Sequence, residues 1–214
     1  VLVHRGLVSV ERSQKMTRIC AILQTVRSVG GPVLHIGCVD GRPMDDLAWL
    51  HGWLASMTET FGVDVDLRGL DRMRLAGYNV LRWDMNMPLP GSCGKFNIIV
   101  AGEVLEHVHA SLVFLQSCRD ALTPTGRILL STPNPCGVLS VLGYWLIGRE
   151  SWGTGHVAWH SPRTLKTLAE LAGLKIVRVR HCDWDTPEWW MRLARPLESI
   201  PRLRPTILYD MEHL

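Results

Sequence analysis

Apolar residues at Met16, Ile19, Ile22, Leu23 and Val26 recur at a helical spacing, predicting an amphipathic helix over residues 10 to 28 that Gly30-Gly31-Pro32 ends. Val33-Leu34-His35-Ile36 predicts a short buried strand running into the tight turn Gly37-Cys38-Val39-Asp40-Gly41. Leu47, Leu50, Leu54 and Met57 mark a helix behind that turn. Phe61 to Val65 reads as a second strand, Leu67 to Ala76 as a helix closed by Gly77, and Tyr78 to Leu81 as a third strand. The nearly unbroken apolar run from Phe96 to Ala101 is expected of a strand covered on both faces. A helix from Glu103 to Leu122, a turn at 123–126 and a strand from Arg127 to Ser131 follow. Residues 133 to 160, rich in Pro, Gly and Trp, read as irregular. Ser161-Pro162 then offers an N-cap and a first helical residue, Leu165, Leu168 and Leu171 give the helix an apolar side, and Gly173 stops it before the strand Leu174 to Val179. Segment 183–204 has little periodicity, and Thr206 to Tyr209 reads as a last strand.

Strands alternating with helices across short turns imply an α/β fold: a Rossmann-like, doubly wound, mostly parallel sheet with helices on both faces. A ligand of such a sheet lies beyond the carboxyl ends of the strands, here at 37–41, 64–66, 84–85, 101–107 and 131–136. A length of 214 residues suits one domain with a modest appendage. The division expected is an amino-terminal helix over 1–29 that serves as a lid, a ligand-binding domain over 30–182 with a lid insertion at 133–160, and a carboxyl-terminal segment over 183–214.

Hydrophobic residues at 47% against 20% charged exclude a wholly disordered chain. The net charge of +3 comes from scattered residues, so a nucleic-acid partner is not expected. Six cysteines without a CxxC pair are expected to be reduced thiols of a cytoplasmic protein. The longest apolar segment, Val138 to Ile147, is too short to cross a bilayer and suggests a lid, a buried turn or an interfacial helix.

A glycine-bearing turn after the first strand and an acidic residue, Asp64, ending the second is a layout for adenosine, the carboxylate accepting from ribose hydroxyls. Only Gly37 and Gly41 frame the turn, and Asp40 between them would repel a pyrophosphate. A ligand with an adenosine but no phosphate fits better.

The segments VLHIGCVDG, GVDVD, LRWDMNMPLP, FNIIVAGEVLEHV, LTPTGRILLSTPNP and HVAWHSPRTLKTLAELAGLKIVRV, in this order over residues 30 to 180, resemble the class I S-adenosylmethionine-dependent methyltransferases. The similarity is greatest to the branch of ubiquinone-biosynthesis O-methyltransferases and bacterial small-molecule or glycan methyltransferases. It implies a seven-stranded sheet and S-adenosylmethionine as cofactor, with Gly37, Cys38 and Gly41 around its methionine end, Asp64 and Val65 at the ribose, Asp84 and Met85 beside the adenine and Ala101 beneath. This sequence departs at His35, where the family usually has an acidic residue, and at Val39, where it usually has glycine. The departures imply weakened cofactor binding and leave a non-catalytic cofactor-binding protein as the alternative to an enzyme.

Glu103, Glu106 and His107 stand at i, i+3 and i+4, a spacing that puts all three on one helical face at the ligand end of the sheet. Two carboxylates and an imidazole there suit a divalent cation, and the resemblance adds a later histidine, His156, with His160 as the alternate. The cation would polarise an acceptor hydroxyl as a Lewis acid. Without it, His156 or His107 is the general base, or Glu106 and His107 simply brace the helix. The activity implied is methyl transfer to a hydroxyl oxygen of a small acceptor such as a glycan, glycolipid or quinone precursor. A metal-dependent 2′-O-methyltransferase of RNA ends ranks behind it, since no basic, aromatic-interleaved patch is present. Nine Trp outnumber three Phe and three Tyr, and six of them fall between Trp145 and Trp190. Trp145, Trp152 and Trp159 suit stacking on an acceptor, while Trp184, Trp189 and Trp190 beside Arg192 and Arg195 suit a peripheral membrane or subunit contact.

Overall fold

The apolar run at the middle of the chain becomes the middle of the sheet. In the computed structural model, which describes residues 17–46, 48–148, 155–183 and 200–214, Phe96–Gly102 (β4) lies between the parallel strands Val33–Ile36 (β1) and Leu122–Pro133 (β5). Thr60–Asp64 (β2) and Asn79–Arg82 (β3) continue the parallel half beyond β1. Thr206–His213 (β7) inserts antiparallel between β5 and Leu174–Cys182 (β6), giving seven strands in the order β3-β2-β1-β4-β5-β7-β6. The order reverses between β1 and β4, so their carboxyl ends diverge into a crevice.

Helices cover both faces. Arg18–Val29 (α1) and Leu50–Met57 (α2) bury Ala21, Ile22, Val26, Leu50 and Leu54 against Ile98, Val100 and Leu129. On the other face Ser111–Ala121 (α4) and Pro162–Leu171 (α6) bury Phe114, Leu115, Leu165 and Ala169 against Ile99, Ile128, Leu130 and Tyr209. Leu67–Leu75 (α3) packs Leu70 and Met73 on Trp49 and Val80. Each of three helices opens on the side chain that its first turn needs: Thr17, Asp66 and Ser161 accept from the amides of Cys20, Arg68 and Thr164.

Four expectations are corrected. The helix read from Glu103 begins only at Ser111, and Leu105–His107 is a single 3-10 turn. The reason is local: Glu103 has left-handed backbone (φ 56°), and Asn86 Oδ1 accepts from the amides of His109 and Ala110, holding the chain off the helical path. Residues 133–160 are not irregular throughout, because the uncharged stretch Val138–Ile147 is a helix (α5). The fifth strand starts five residues early, Leu122 pairing with Phe96 before a bulge, and the last strand runs on to His213. All six cysteines are free thiols. Among the described residues no helix is long and apolar enough to cross a membrane. Met16, Leu47, Trp152, Trp184, Trp189, Trp190, Arg192 and Arg195 lie outside the described residues.

Candidate functional site

The first turn is built on positive-φ glycines, Gly37 and Gly41, both at 75°. At Gly37 a side chain is also excluded by space, since a Cβ would stand 2.7 Å from Val104 Cγ2. The Gly37 and Cys38 amides both donate to the Val63 carbonyl, at 2.9 and 3.3 Å, and bind the turn to the end of β2. The Val39 amide donates to Asp64 Oδ2 (2.9 Å) and the Asp66 amide to Asp64 Oδ1 (3.0 Å). Each oxygen of this 6% exposed carboxylate therefore keeps a second lone pair.

The Val39 side chain is accommodated by a gap on α3: a Cβ at Gly69 would collide with its Cγ1. The valine thus fills a notch beside Leu70 and Met73, and its amide remains on Asp64. Val65 is half exposed beyond β2. Asp84 is exposed beyond β3, its carboxyl held below the usual range by the backbone and side-chain N–H groups of Asn86. Met85 and Ala101 are buried in the main core, and Cys38 is buried with its thiol pushed up to about 12 by desolvation. Cys38 therefore serves packing rather than nucleophilic chemistry.

His35 is buried at the end of β1 and meets a residue of α2. Its Nδ1 lies 3.1 Å from His51 Nδ1 and the rings stack at 5.3 Å. One ring donates and the other accepts, so the pair cannot be doubly protonated. Burial drives both below the ordinary imidazole range, His51 to about 4. In His35 the neighbouring His51 and then Arg18 lower it further.

Arg18, which the sequence reading passed over, brings the positive charge. A Cβ at Gly102 would collide with its guanidinium, which places that cation over the end of β4 beside Ser131 Oγ. It also opposes the raised carboxyl of Glu106. The signal available in the sequence was Gly102, a glycine ending an otherwise apolar strand.

Beyond β4, Glu103 keeps apart from Glu106: its amide donates to the carbonyl and Oγ of Ser131, and the Ser131 hydroxyl donates to Glu103 Oε1 (3.0 Å). Glu106 is 2% exposed, accepts from Thr132 Oγ1 at Oε2 (3.2 Å), and has no hydrogen-bond partner at Oε1 among the described residues. Burial, and then the Glu103 carboxylate, raise its carboxyl. The Glu106 carbonyl accepts from the amides of Val157 (2.8 Å) and Ala158 (3.2 Å), which draws residues 155–158 onto this turn.

His156 consequently meets His107 edge-on, with ring centroids 4.7 Å apart. Single ligand atoms of Glu106, His107 and His156 lie within 4.8 Å of one another. His107 Nδ1 lies 3.0 Å from the Gly155 carbonyl, so that nitrogen carries the proton and Nε2 presents its lone pair. The structure thus brings together three of the four expected ligands. His160, the alternate, is buried outside this cluster, its imidazole lowered by desolvation.

A seven-stranded sheet with a single antiparallel inserted strand, a glycine turn at its crevice and a ribose-type carboxylate on the next strand defines a class I methyltransferase. The comparisons agree. A family model described as a methyltransferase domain matches residues 11–179, and the chain belongs to that family. S-adenosylmethionine is its cofactor and methyl transfer its reaction. A ubiquinone biosynthesis O-methyltransferase of Cereibacter sphaeroides is 26% identical over 180 residues, covering 77% of this chain and 69% of the relative. An S-adenosylmethionine-dependent methyltransferase of Mesorhizobium loti superposes with a TM-score of 0.63 at 18% identity, over 91% of this chain and 97% of that one. The CcbJ methyltransferase of Streptomyces caelestis superposes with a TM-score of 0.64 at 16% identity, over 92% and 94%.

Proposed function

We propose that the chain methylates a hydroxyl oxygen of a small acceptor, a glycan, glycolipid or quinone precursor, at the rim formed by Glu106, His107 and His156. The observation that carries this reading is Glu106 Oε1, buried without a hydrogen-bond partner among the described residues and gathered with two imidazoles. Leaving such an oxygen unmatched costs about 1–3 kcal/mol, a cost that a coordinated cation removes. One carboxylate and two imidazoles suit Mn²⁺, Fe²⁺, Co²⁺ or Zn²⁺ better than Mg²⁺. A divalent ion held there supplies Lewis acidity that lowers the pKa of the acceptor hydroxyl.

The chain's own residues do the rest. Asp64 accepts from the ribose hydroxyls, the 37–41 turn receives the methionine end, and Arg18 faces its carboxylate. Methyl transfer is a direct displacement, so alignment and exclusion of water are the main demands. Trp159, with its ring 6.2 Å from that of His156, and the amino-terminal helix form the walls that meet them. The O-methyltransferase relative supports oxygen as the accepting atom.

The test is transfer of a labelled methyl group from S-adenosylmethionine to catechols, phenols, sugars and amines, with and without chelator. The expected result is loss of transfer in chelator, rescue by Mn²⁺ or Zn²⁺, and metal-free Glu106→Gln protein. Full activity in chelator refutes the cation and returns His107 or His156 to the role of base. Methylation of amines alone refutes oxygen.

A further inference from the structure

Helix α5 carries no charge in ten residues, VLSVLGYWLI. Its first turn is anchored: Val138 and Ser140 are buried, and the Ser140 hydroxyl and the Gly137 amide both donate to the Asn134 carbonyl, each at 3.0 Å. Beyond that turn five apolar side chains face outward. Val141, Leu142, Tyr144, Trp145 and Leu146 are 39, 40, 63, 80 and 78% exposed. At about 100° per residue these positions sweep about 200° of the helix, far more than a stripe needed to pack on the sheet. Scattered exposed leucines need no explanation, but a contiguous apolar patch marks a binding surface.

Three features select the occupant. Ten residues rise only about 15 Å, half the hydrocarbon thickness, so the helix lies along a bilayer and does not cross it. Trp and Tyr, the most exposed aromatic residues of the patch, are the side chains that favour the boundary between headgroups and acyl chains. At the foot of the helix Asn134 Nδ2 donates to the backbone carbonyls of Arg202 (2.9 Å) and Arg204 (2.7 Å); the Arg204 guanidinium is held by the His181 carbonyl and Asp183, which leaves Arg202 as the cation of this segment. Arg202 is exposed there. An uncharged patch with an exposed arginine at its base complements an anionic lipid surface, whereas a second copy of the same patch offers that charge nothing to neutralise.

We infer that α5 is an interfacial docking helix that seats the protein on an anionic bilayer, with Tyr144, Trp145 and Leu146 in the headgroup boundary and Arg202 at the phosphates. The inference does not depend on the methyl acceptor. Flotation with vesicles of phosphatidylcholine, with and without phosphatidylglycerol, tests it directly. The protein is expected to float with the anionic vesicles. Trp145→Ser and Leu146→Ser each lower partitioning about tenfold, and Arg202→Gln lowers it about fivefold on anionic vesicles only. These side chains are exposed, so circular dichroism and cofactor binding of the variants remain those of the parent. Failure of the parent to float overturns the inference, as does equal flotation of parent and variants. Equal binding to neutral and anionic vesicles overturns the part given to Arg202. Self-association that the serine variants abolish, without flotation, assigns the face to a second copy and overturns the lipid assignment.

Discussion

Val39 and Gly69 are a complementary pair, and substituting Gly69→Ala tests it. The new Cβ would collide with Val39 Cγ1, stand 2.8 Å from Cγ2 and lie 2.9 Å from Asp66 Oδ2. Gly69 is buried in α3 and Val39 is packed against the same cluster, so relief requires the 38–41 turn to move. Overpacking of this kind costs about 1–3 kcal/mol, offset by about 0.5–1 kcal/mol for replacing a helical glycine with alanine. The net expectation is a loss of about 1–2 kcal/mol. Val39→Ala removes both Cγ atoms and so abolishes most of the collision. In the double variant the alanine at 69 then costs little, and the coupling between the two sites is about 1–2 kcal/mol. Urea unfolding of the four proteins measures it. Calorimetry with the demethylated cofactor product supplies a second readout, because moving the turn disturbs the Val39 amide on Asp64. Affinity is expected to fall in Gly69→Ala and recover in the double variant. Additive effects within about 0.3 kcal/mol would show that Val39 does not occupy the Gly69 notch and would refute the reasoning.

Arg18→Gln, measured by the same calorimetry, should weaken cofactor binding by roughly 10- to 100-fold, the loss of a charge-assisted hydrogen bond of about 1.5–3 kcal/mol; an unchanged affinity removes Arg18 from the site. Gly37→Ala combines a left-handed backbone with the approach of Val104, and chemical denaturation should show a loss of about 2 kcal/mol or more. His51 has a folded pKa of about 4 against 6.5 when free, so its contribution to stability is full above pH 6.5 and is lost as the pH falls toward 4. The amount is about 3 kcal/mol, and His51→Asn should flatten that part of the stability profile; an unchanged acid limb would show that His51 titrates normally. Glu106→Gln should purify without bound metal under conditions where the parent retains it, as elemental analysis would show.

How much of this was legible in the sequence depended on whether the deciding contact was local. The strand at Phe96 announced itself because burial on both faces leaves an unbroken apolar run, and α6 because Ser161-Pro162 writes its own cap. α5 stayed open between a lid, a buried turn and an interfacial helix for the opposite reason. A segment apolar on every side has no polar phase from which to read a period. The break between Glu103 and Ser111 was illegible because the left-handed residue is a glutamate, held by a serine on β5, and because the side chain holding the loop belongs to Asn86. The place that the Val39 side chain takes became visible only once α3 supplied a glycine thirty positions later. His35 likewise acquired meaning only with its partner on α2. Arg18 depended on the packing of a helix across the sheet, which no local pattern records.

That packing has a consequence for how the protein is made. Arg180 on β6 donates to the Ala21 carbonyl (3.2 Å) and to Thr25 Oγ1 (3.1 Å), joining the helix that carries Arg18 to a strand 159 and 155 positions further along. Among the described residues β6 in turn pairs in the sheet only with β7. A chain emerging from the ribosome can fold the glycine turn and Asp64 early, but it gains the tie on its amino-terminal helix only after residue 180 has been synthesised and gains the strand that seats β6 only after residue 213. On the proposed role of Arg18, methyl-donor binding therefore depends on β6 and β7 as well, and a nascent chain halted before β7 should hold the nucleoside end of the pocket without the clasp on its amino-acid end.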